Sequence, residues 1–258
     1  MRPIWTGAIG FGLVNIPVNL YSATSTSSLD LDMLDKSDLA NIHFKRVNEN
    51  TGKEVPWENI VKGYKYEGEY VVVSPDDFEK ASPEKSKTID ITSFVKEDEI
   101  DSIYYETPYY LEPVKSGVKA YNLLREALAK TNKVGVASFV LRTKESLVIL
   151  KPSGNLLVLN KIRFAEEIRD SSEISISAKN DVKKTELDMA VSLINQLSKK
   201  FNVSAYKDTY SAELLKLIEA KAGGHKPKVP KMRVVHSQAK DLMAQLKASL
   251  NQPRKKAS

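Results

Sequence analysis

The chain has 258 residues, 39 of them Lys or Arg and 33 Asp or Glu, for a formal net charge of +6. Hydrophobic residues make up 41%, enough for one large domain with an appendage, or two small domains, to bury a core. Cysteine is absent, which excludes disulfides, thiolate metal sites and a thiol nucleophile and is compatible with a reducing cytoplasm.

The stretch from Pro3 to Leu29 carries no charge but is interrupted by Gly7, Gly10, Gly12, Asn15, Pro17 and Asn19. Those breaks argue against a signal peptide and a membrane span, both of which need an unbroken apolar run. Trp5, Ile9, Phe11 and Leu13 sit at odd positions, and Ile16, Val18 and Leu20 at even ones. The spacing predicts two strands over 4–21 with a bulge or bend between Leu13 and Ile16. The three glycines read as strand glycines. A phosphate loop would need a following Lys-Ser/Thr and a helix. Further strands are predicted over 42–47, 69–73, 88–95 and 103–111. Turn signals lie at Asn50-Thr51-Gly52, Glu67-Gly68 and Ser74-Pro75, the last suited to start a short helix.

A helix is predicted over 117–130, capped by Ser116, with Val118, Tyr121, Leu124 and Leu128 on one stripe and Asn132 near its stop. A strand over 134–142 follows. Leu147–Lys151 and Leu156–Arg163 then flank Pro152-Ser153-Gly154-Asn155, a hairpin signal. Helices are predicted over 182–200, on the spacing of Leu187, Val191, Ile194, Leu197 and Phe201, and over 208–221, stopped by Gly223-Gly224. Residues 223–233 read as a linker, 237–250 as a short amphipathic helix, and 253–258 as disordered. A β-rich first 165 residues must cover both sheet faces. Closure into a barrel with a helix packed outside is the economical arrangement.

Charge is unevenly placed. Residues 221–258 carry a net +9 and the remaining 220 a net −3, so a basic tail follows a near-neutral body. Within the body, 133–163 carry a net +5 and 76–112 a net −7. These segments suggest one basic and one acidic face, with solvated surface charge as the alternative. A basic arm favours a polyanion, nucleic acid or an anionic membrane surface.

Catalytic signatures are missing. His43, His225 and His236 are scattered, and no His-Glu-x-x-His, GxSxG or Walker pattern occurs. Glu97-Asp98-Glu99 and Glu166-Glu167 fit no metal cage, so no metal, cofactor or enzymatic activity is expected. Nucleic-acid binding fits better. Residues two apart on a strand share a face, which pairs Arg142 with Lys144 and Lys161 with Arg163. Lys133 and Lys151 add charge beside them, and Lys45, Arg46, Lys53, Lys62 and Lys65 add it in the turn-rich stretch 41–66. Lysine outnumbers arginine at these positions, which favours contact with phosphates over reading of bases.

The run Ile4-Trp5-Thr6-Gly7-Ala8-Ile9-Gly10-Phe11-Gly12-Leu13-Val14-Asn15-Ile16-Pro17-Val18-Asn19-Leu20-Tyr21 resembles the opening of the bacterial Ku proteins. Matching blocks follow in order: Lys62 to Tyr66, Glu69 to Val72, Glu99 to Asp101 with Ile103 to Tyr105, Tyr109 to Pro113, Tyr121 to Leu128, Glu166 to Asp170 and Tyr206 to Lys221. The resemblance covers about 1–222. It implies a mainly β fold with α: a Ku-type β-barrel core with a long dimerising arm over 1–170, a C-terminal helical segment over 171–222, and a basic, largely flexible tail over 223–258. It implies a ring-shaped homodimer that threads onto double-stranded DNA ends without sequence preference. It also implies recruitment of an ATP-dependent ligase of the ligase D type in non-homologous end joining, no catalytic step, and a cytoplasmic place at the bacterial nucleoid.

Tyr206, Asp208, Tyr210, Leu214, Leu215 and Ile218 match the family segment linked to ligase recruitment, the alternative being a helix packed on the barrel. Lys226, Lys228, Lys231, Arg233, Arg254, Lys255 and Lys256 are expected to add DNA affinity and allow bridging of ends, the alternative being a solubilising tail. Some relatives carry a Cys-x-x-Cys pair where this chain has Val47-Asn48-Glu49-Asn50, so no metal is expected there. Competing readings are an architectural protein that coats duplex DNA without end dependence and, less supported, a membrane-surface protein using 237–250.

Overall fold

The computed structural model describes residues 1–25, 28–81, 87–141, 144–175, 182–225 and 242–251. In chain order the strands are β1 (Trp5–Phe11), β2 (Val14–Ser22), β3 (Lys62–Tyr66), β4 (Glu69–Val73), β5 (Thr88–Val95), β6 (Tyr105–Pro113), β7 (Val134–Leu141), β8 (Lys144–Ser153) and β9 (Leu156–Ile162). The α-helices are α1 (Pro75–Ala81), α2 (Val118–Thr131), α3 (Lys184–Leu197), α4 (Thr209–Ala222) and α5 (Leu242–Asn251). Two compact units result, residues 1–26 with 32–171 and residues 27–31 with 172–258.

β1 and β2 form a hairpin, from Trp5↔Leu20 to Phe11↔Val14, with Gly12 supplying the positive φ of +58° at its turn. The parity change after Leu13 is therefore a two-residue turn, not a bulge. Reversing the chain lets Ile9 and then Ile16, Val18 and Leu20 bury completely on one face. Gly7 and Gly10 are strand glycines as the sequence suggests, whereas Gly12 belongs to the turn. Pro17 lies in β2, and its carbonyl accepts from the Val114 N–H at 2.9 Å where β6 ends, a place where a missing ladder donor costs little.

β5 returns parallel to β1, from Ala8↔Thr88 to Gly10↔Asp90, and closes a barrel in the order β1-β2-β6-β9-β8-β7-β5. The approach depends on Gly7: a Cβ there would collide with the Lys87 carbonyl and the Trp5 ring. Ile9, Ile16, Val18, Leu20, Leu111, Val148, Leu150, Leu157 and Leu159 fill the interior, each fully buried. Tyr121, Leu124 and Leu128 of α2 join this same cluster. The helix thus completes the barrel core, where the sequence reading places it as an outer layer. The Tyr121 hydroxyl donates to the Leu111 carbonyl and accepts from the Leu157 N–H, both at 2.6 Å. It bridges β6 and β9 at the last pair of their ladder. Ser116 does not cap α2. The cap position is Gly117, packed against Pro17, and Val118 is exposed. The outer surface is covered instead by the 3-10 turns Glu97–Glu99 and Ser102–Tyr104, where Ile100, Tyr104 and Tyr105 pack on Val134, Ile149 and Ile162.

Between β2 and β5 the chain leaves the barrel in a long arm. The strand expected over 42–47 is absent: only the isolated bridges Leu34↔Asn41 and Val47↔Glu54 form, and Ile42, Phe44 and Val47 are exposed. Alternation alone builds no strand without a neighbour to pair with. β3, not expected from the sequence, pairs with β4 across Glu67-Gly68. Both turn residues have positive φ, as a type I′ turn requires. Asp77 and Ser74 cap α1 reciprocally, the Ser74 N–H donating to the carboxylate at 2.9 Å and the Asp77 N–H to the hydroxyl at 3.2 Å.

In the second unit α3 and α5 pack together. Met189, Leu193 and Gln196 are half-buried, and the Gln196 amide donates to the Leu250 carbonyl at 3.4 Å. The stripe Leu187, Val191, Ile194 and Leu197, which marks this helix in the sequence, is exposed.

Candidate nucleic-acid interface

The β8–β9 hairpin forms as the sequence predicts, from Leu147↔Ile162 to Ser153↔Leu156, with Gly154 at φ +58° in its turn. Its alternation sorts the basic side chains. Lys161 shares the parity of the buried Leu157 and Leu159 and emerges where β9 ends. Arg163 continues that parity, and Lys144 shares the parity of the buried Val148. Lys144, Lys161 and Arg163 converge on Glu106 of β6, whose neighbour in the barrel is β9. Lys151 shares the parity of Ile149 and lies on the outer surface over the Tyr105 ring. Lys133 is at the far end of β7 from Lys144, beside an apolar pocket lined by Phe11, Phe94, Leu124 and Leu128. The segment 133–163 therefore does not form one basic face.

Every lysine of the hairpin has a carboxylate partner from another part of the chain. Lys161 Nζ is 2.9 Å from Glu106 Oε2, Lys144 Nζ is 3.8 Å from Glu167 Oε1, and Lys151 pairs with Glu97. The hydrogen bond from Lys161 holds the Glu106 carboxyl below the usual carboxylate range against its partial burial, and the charges of Lys161, Arg163 and Lys144 add to this. The Arg163 guanidinium donates to the Ile103 carbonyl at 3.2 Å and the Tyr105 carbonyl at 2.9 Å, which locks the rim of β9 to the start of β6. The acidic stretch 76–112 and the basic stretch 133–163 thus interleave, because β6 and β9 are adjacent strands. These carboxylates carry no local sequence signal. Only the strand order brings them to the lysines.

The arm carries the other candidates, all exposed. Lys45 pairs with Glu54 at 2.7 Å. The Arg46 guanidinium stacks 4.6 Å from the Trp57 ring centroid, and Lys62 lies 4.8 Å from that of Phe78. Lys65 is on β3, and Lys53 follows a turn held by the Asn48 side chain, which accepts from the Asn50 and Thr51 N–H groups at 3.0 Å each. Around these bases Leu39, Phe44, Trp57, Val61, Tyr64 and Tyr70 are each about two-thirds or more exposed.

Residues 10–189, well over half of the chain, match the family described as the Ku70/Ku80 beta-barrel domain. The chain belongs to the Ku family. It is 44% identical over 257 residues to the non-homologous end joining protein Ku of Opitutus terrae, an alignment covering 98% of this chain and 92% of that protein. It is 42% identical over 226 residues to the protein of the same name from Coxiella burnetii, covering 85% and 82%. Among solved structures, the SPOC domain of human PHD-finger protein 3 aligns at 15% identity with a TM-score of 0.32, over 63% of this chain and 97% of that one, too distant to carry an argument.

The Ku match takes in the barrel from the end of β1 onward, the arm and the first part of α3. Beyond it, Asp208 is the N-cap of α4, its carboxylate accepting from the Ser211 N–H at 3.0 Å. Tyr206 stacks on Phe201 with ring centroids 6.0 Å apart, and both rings are exposed. Tyr210, Leu215 and Ile218 are exposed and Leu214 is half-buried. Arg142 and the tail residues Lys226, Lys228, Lys231, Arg233, Arg254, Lys255 and Lys256 lie outside the described residues. Among the described residues no helix is long and apolar enough to cross a membrane.

Proposed function

We propose that this chain binds double-stranded DNA ends as a ring-shaped homodimer in non-homologous end joining, without regard to sequence. It acts at the bacterial nucleoid, and recruits and stimulates an ATP-dependent DNA ligase of the ligase D type. It performs no catalytic step itself. The observation that carries the reading is the arm of the Ku barrel. A single chain leaves Phe44, Trp57, Tyr64 and Tyr70 at 80%, 70%, 68% and 75% exposure, far more apolar surface than an isolated arm sustains in water. A second copy related by a two-fold axis would cover each arm with its equivalent and close a ring. The names of the relatives support the end-joining role.

A ring retains duplex DNA by topology, so a rim of few phosphate contacts suffices. Lys144, Lys161 and Arg163 supply that rim, with Lys45, Arg46, Lys53, Lys62 and Lys65 on the arm. Lys133 and Lys151 stand apart from it. The basic tail adds affinity and bridges ends. The exposed side chains of α4, with Tyr206 and Tyr210, dock the ligase.

The test is binding to one plasmid in linear and closed-circular form at matched salt. Retention of the linear form alone is the expected result. Equal binding to closed circles would replace threading with an architectural role. For the ligase, Tyr206, Tyr210 and Leu215 replaced together by Ala are expected to abolish stimulation while sparing DNA binding. Loss of both activities would make α4 a packing element only.

A further inference from the structure

At the barrel rim, three bases and two carboxylates meet. Lys161 is held by Glu106 at 2.9 Å, Lys144 by Glu167 at 3.8 Å, and Arg163 by backbone carbonyls. The five groups leave a net charge of only +1. A phosphate that approaches either ammonium also approaches its carboxylate, and must displace it or be repelled by it. The two pairs differ in grade. The Lys161 side chain is 26% exposed and its contact short, whereas Lys144 is 72% exposed and its contact loose.

From this geometry, and resting on the duplex-binding reading above, we infer that Glu106 and Glu167 are built-in competitors of DNA phosphate that set how tightly the ring grips the duplex. They are affinity-determining residues placed inside a basic site. A lysine already paired to a carboxylate releases no net counterion when it turns to a phosphate, because the carboxylate it leaves must then be neutralised by a cation from solution. Such a site binds weakly and with a shallow salt dependence, and lets a threaded ring move inward from the end. Glu106 is the stronger of the two brakes, since its pair is shorter and less exposed.

The test uses the full chain with E106Q, E167Q and E106Q/E167Q, measuring affinity for a linear duplex across a salt series. Glutamine keeps an acceptor for the Phe164 N–H, which Glu167 now binds at 2.8 Å, so the turn after β9 is preserved. Coulomb's law in a water-like medium gives roughly a threefold gain for removing a negative charge about 6 Å from a phosphate. The log–log salt slope should steepen by up to about 0.9 for each lysine released. E106Q should exceed E167Q, and K161Q on the E106Q background should cancel the gain. E97Q, which removes the same charge from the outer-surface pair with Lys151, is the matched control and should change neither quantity. A native chain that retains linear plasmid, with E106Q/E167Q giving unchanged affinity and slope, would overturn the inference and leave the ring reading standing. So would an equal gain in E97Q, which would reduce the effect to net charge. A fall in affinity at unchanged melting temperature would overturn it too, by making the carboxylates positioners of the lysines. A native chain that fails to distinguish linear from closed plasmid would instead remove the reading on which the inference rests. Should the double variant fold poorly, the single variants and their ranking decide.

Discussion

Tyr121→Phe removes one buried oxygen atom from the end of the β6–β9 ladder and nothing else. Tyr121 is 1% exposed, and its hydroxyl occupies the gap between Leu111 of β6 and Leu157 of β9. Burial raises the pKa of this phenol, with the Leu157 N–H opposing, so the group stays a neutral donor and acceptor. Phenylalanine leaves a carbonyl and an N–H unpaired where no solvent reaches. Each orphaned buried group costs about 1–3 kcal/mol, so about 2–6 kcal/mol is expected for the pair. In urea at fixed protomer concentration the midpoint should fall with little change in slope. The melting temperature should drop by about 4–24 °C for a chain of this size. Tyr105→Phe is the internal control. Among the described residues the buried Tyr105 hydroxyl has no hydrogen-bond partner, and burial followed by the charge of Glu97 raises its pKa. Removing it should leave stability unchanged or raise it by about 1 kcal/mol. Equal losses from the two variants would refute the argument, because the bridging of β6 and β9 would then count for nothing.

Gly7→Ala should cost about 1–3 kcal/mol in the same denaturation assay, since the added methyl meets the Lys87 carbonyl at the parallel seam of the barrel; Gly12→Ala at the turn tip should fail differently, through its positive φ alone. Asp208→Ala removes the N-cap of α4 and should loosen that helix by about 1 kcal/mol, read as faster amide exchange over its first turn with the barrel amides unchanged. Acidification tests Glu106. Its carboxyl titrates below the ordinary 4.5 in the folded chain, so its pairing with Lys161 stabilises fully above that value and is lost as pH falls through the lowered one. E106Q should therefore flatten the acid limb of the stability profile, and an unchanged limb would mean that Lys161 contributes nothing to that carboxylate.

Much of the local structure was legible in the residues. Period-two alternation marks β1, β2, β5 and the β8–β9 hairpin, and Pro152-Ser153-Gly154-Asn155 marks the turn between the last two. Leu124 and Leu128 at helical spacing mark α2, and Asn132 marks its end, in the left-handed conformation there. The opening run and its ordered blocks point to the Ku family. These signals are local, because the repeat of a strand or helix is set by backbone geometry over a few residues. Where a segment finds no neighbour to pair with, the same signals mislead: residues 42–47 alternate but form no strand. The spacing of Leu187, Val191, Ile194 and Leu197 marks the helix α3 correctly, but that stripe is exposed while Met189, Leu193 and Gln196 are half-buried.

What the sequence by itself determined is therefore the kind of most elements, the family, and which side chains carry charge. Which charges meet was decided only when the barrel closed. Glu106 and Lys161 are 55 positions apart, and nothing near either one names the other. Their contact follows from β6 lying beside β9, and that order depends on how seven strands can share one core, with Tyr121 spanning the same pair at its other end. A face that looks basic along the chain becomes a set of ion pairs, because a closed sheet chooses neighbours by burial of apolar side chains and the charges follow.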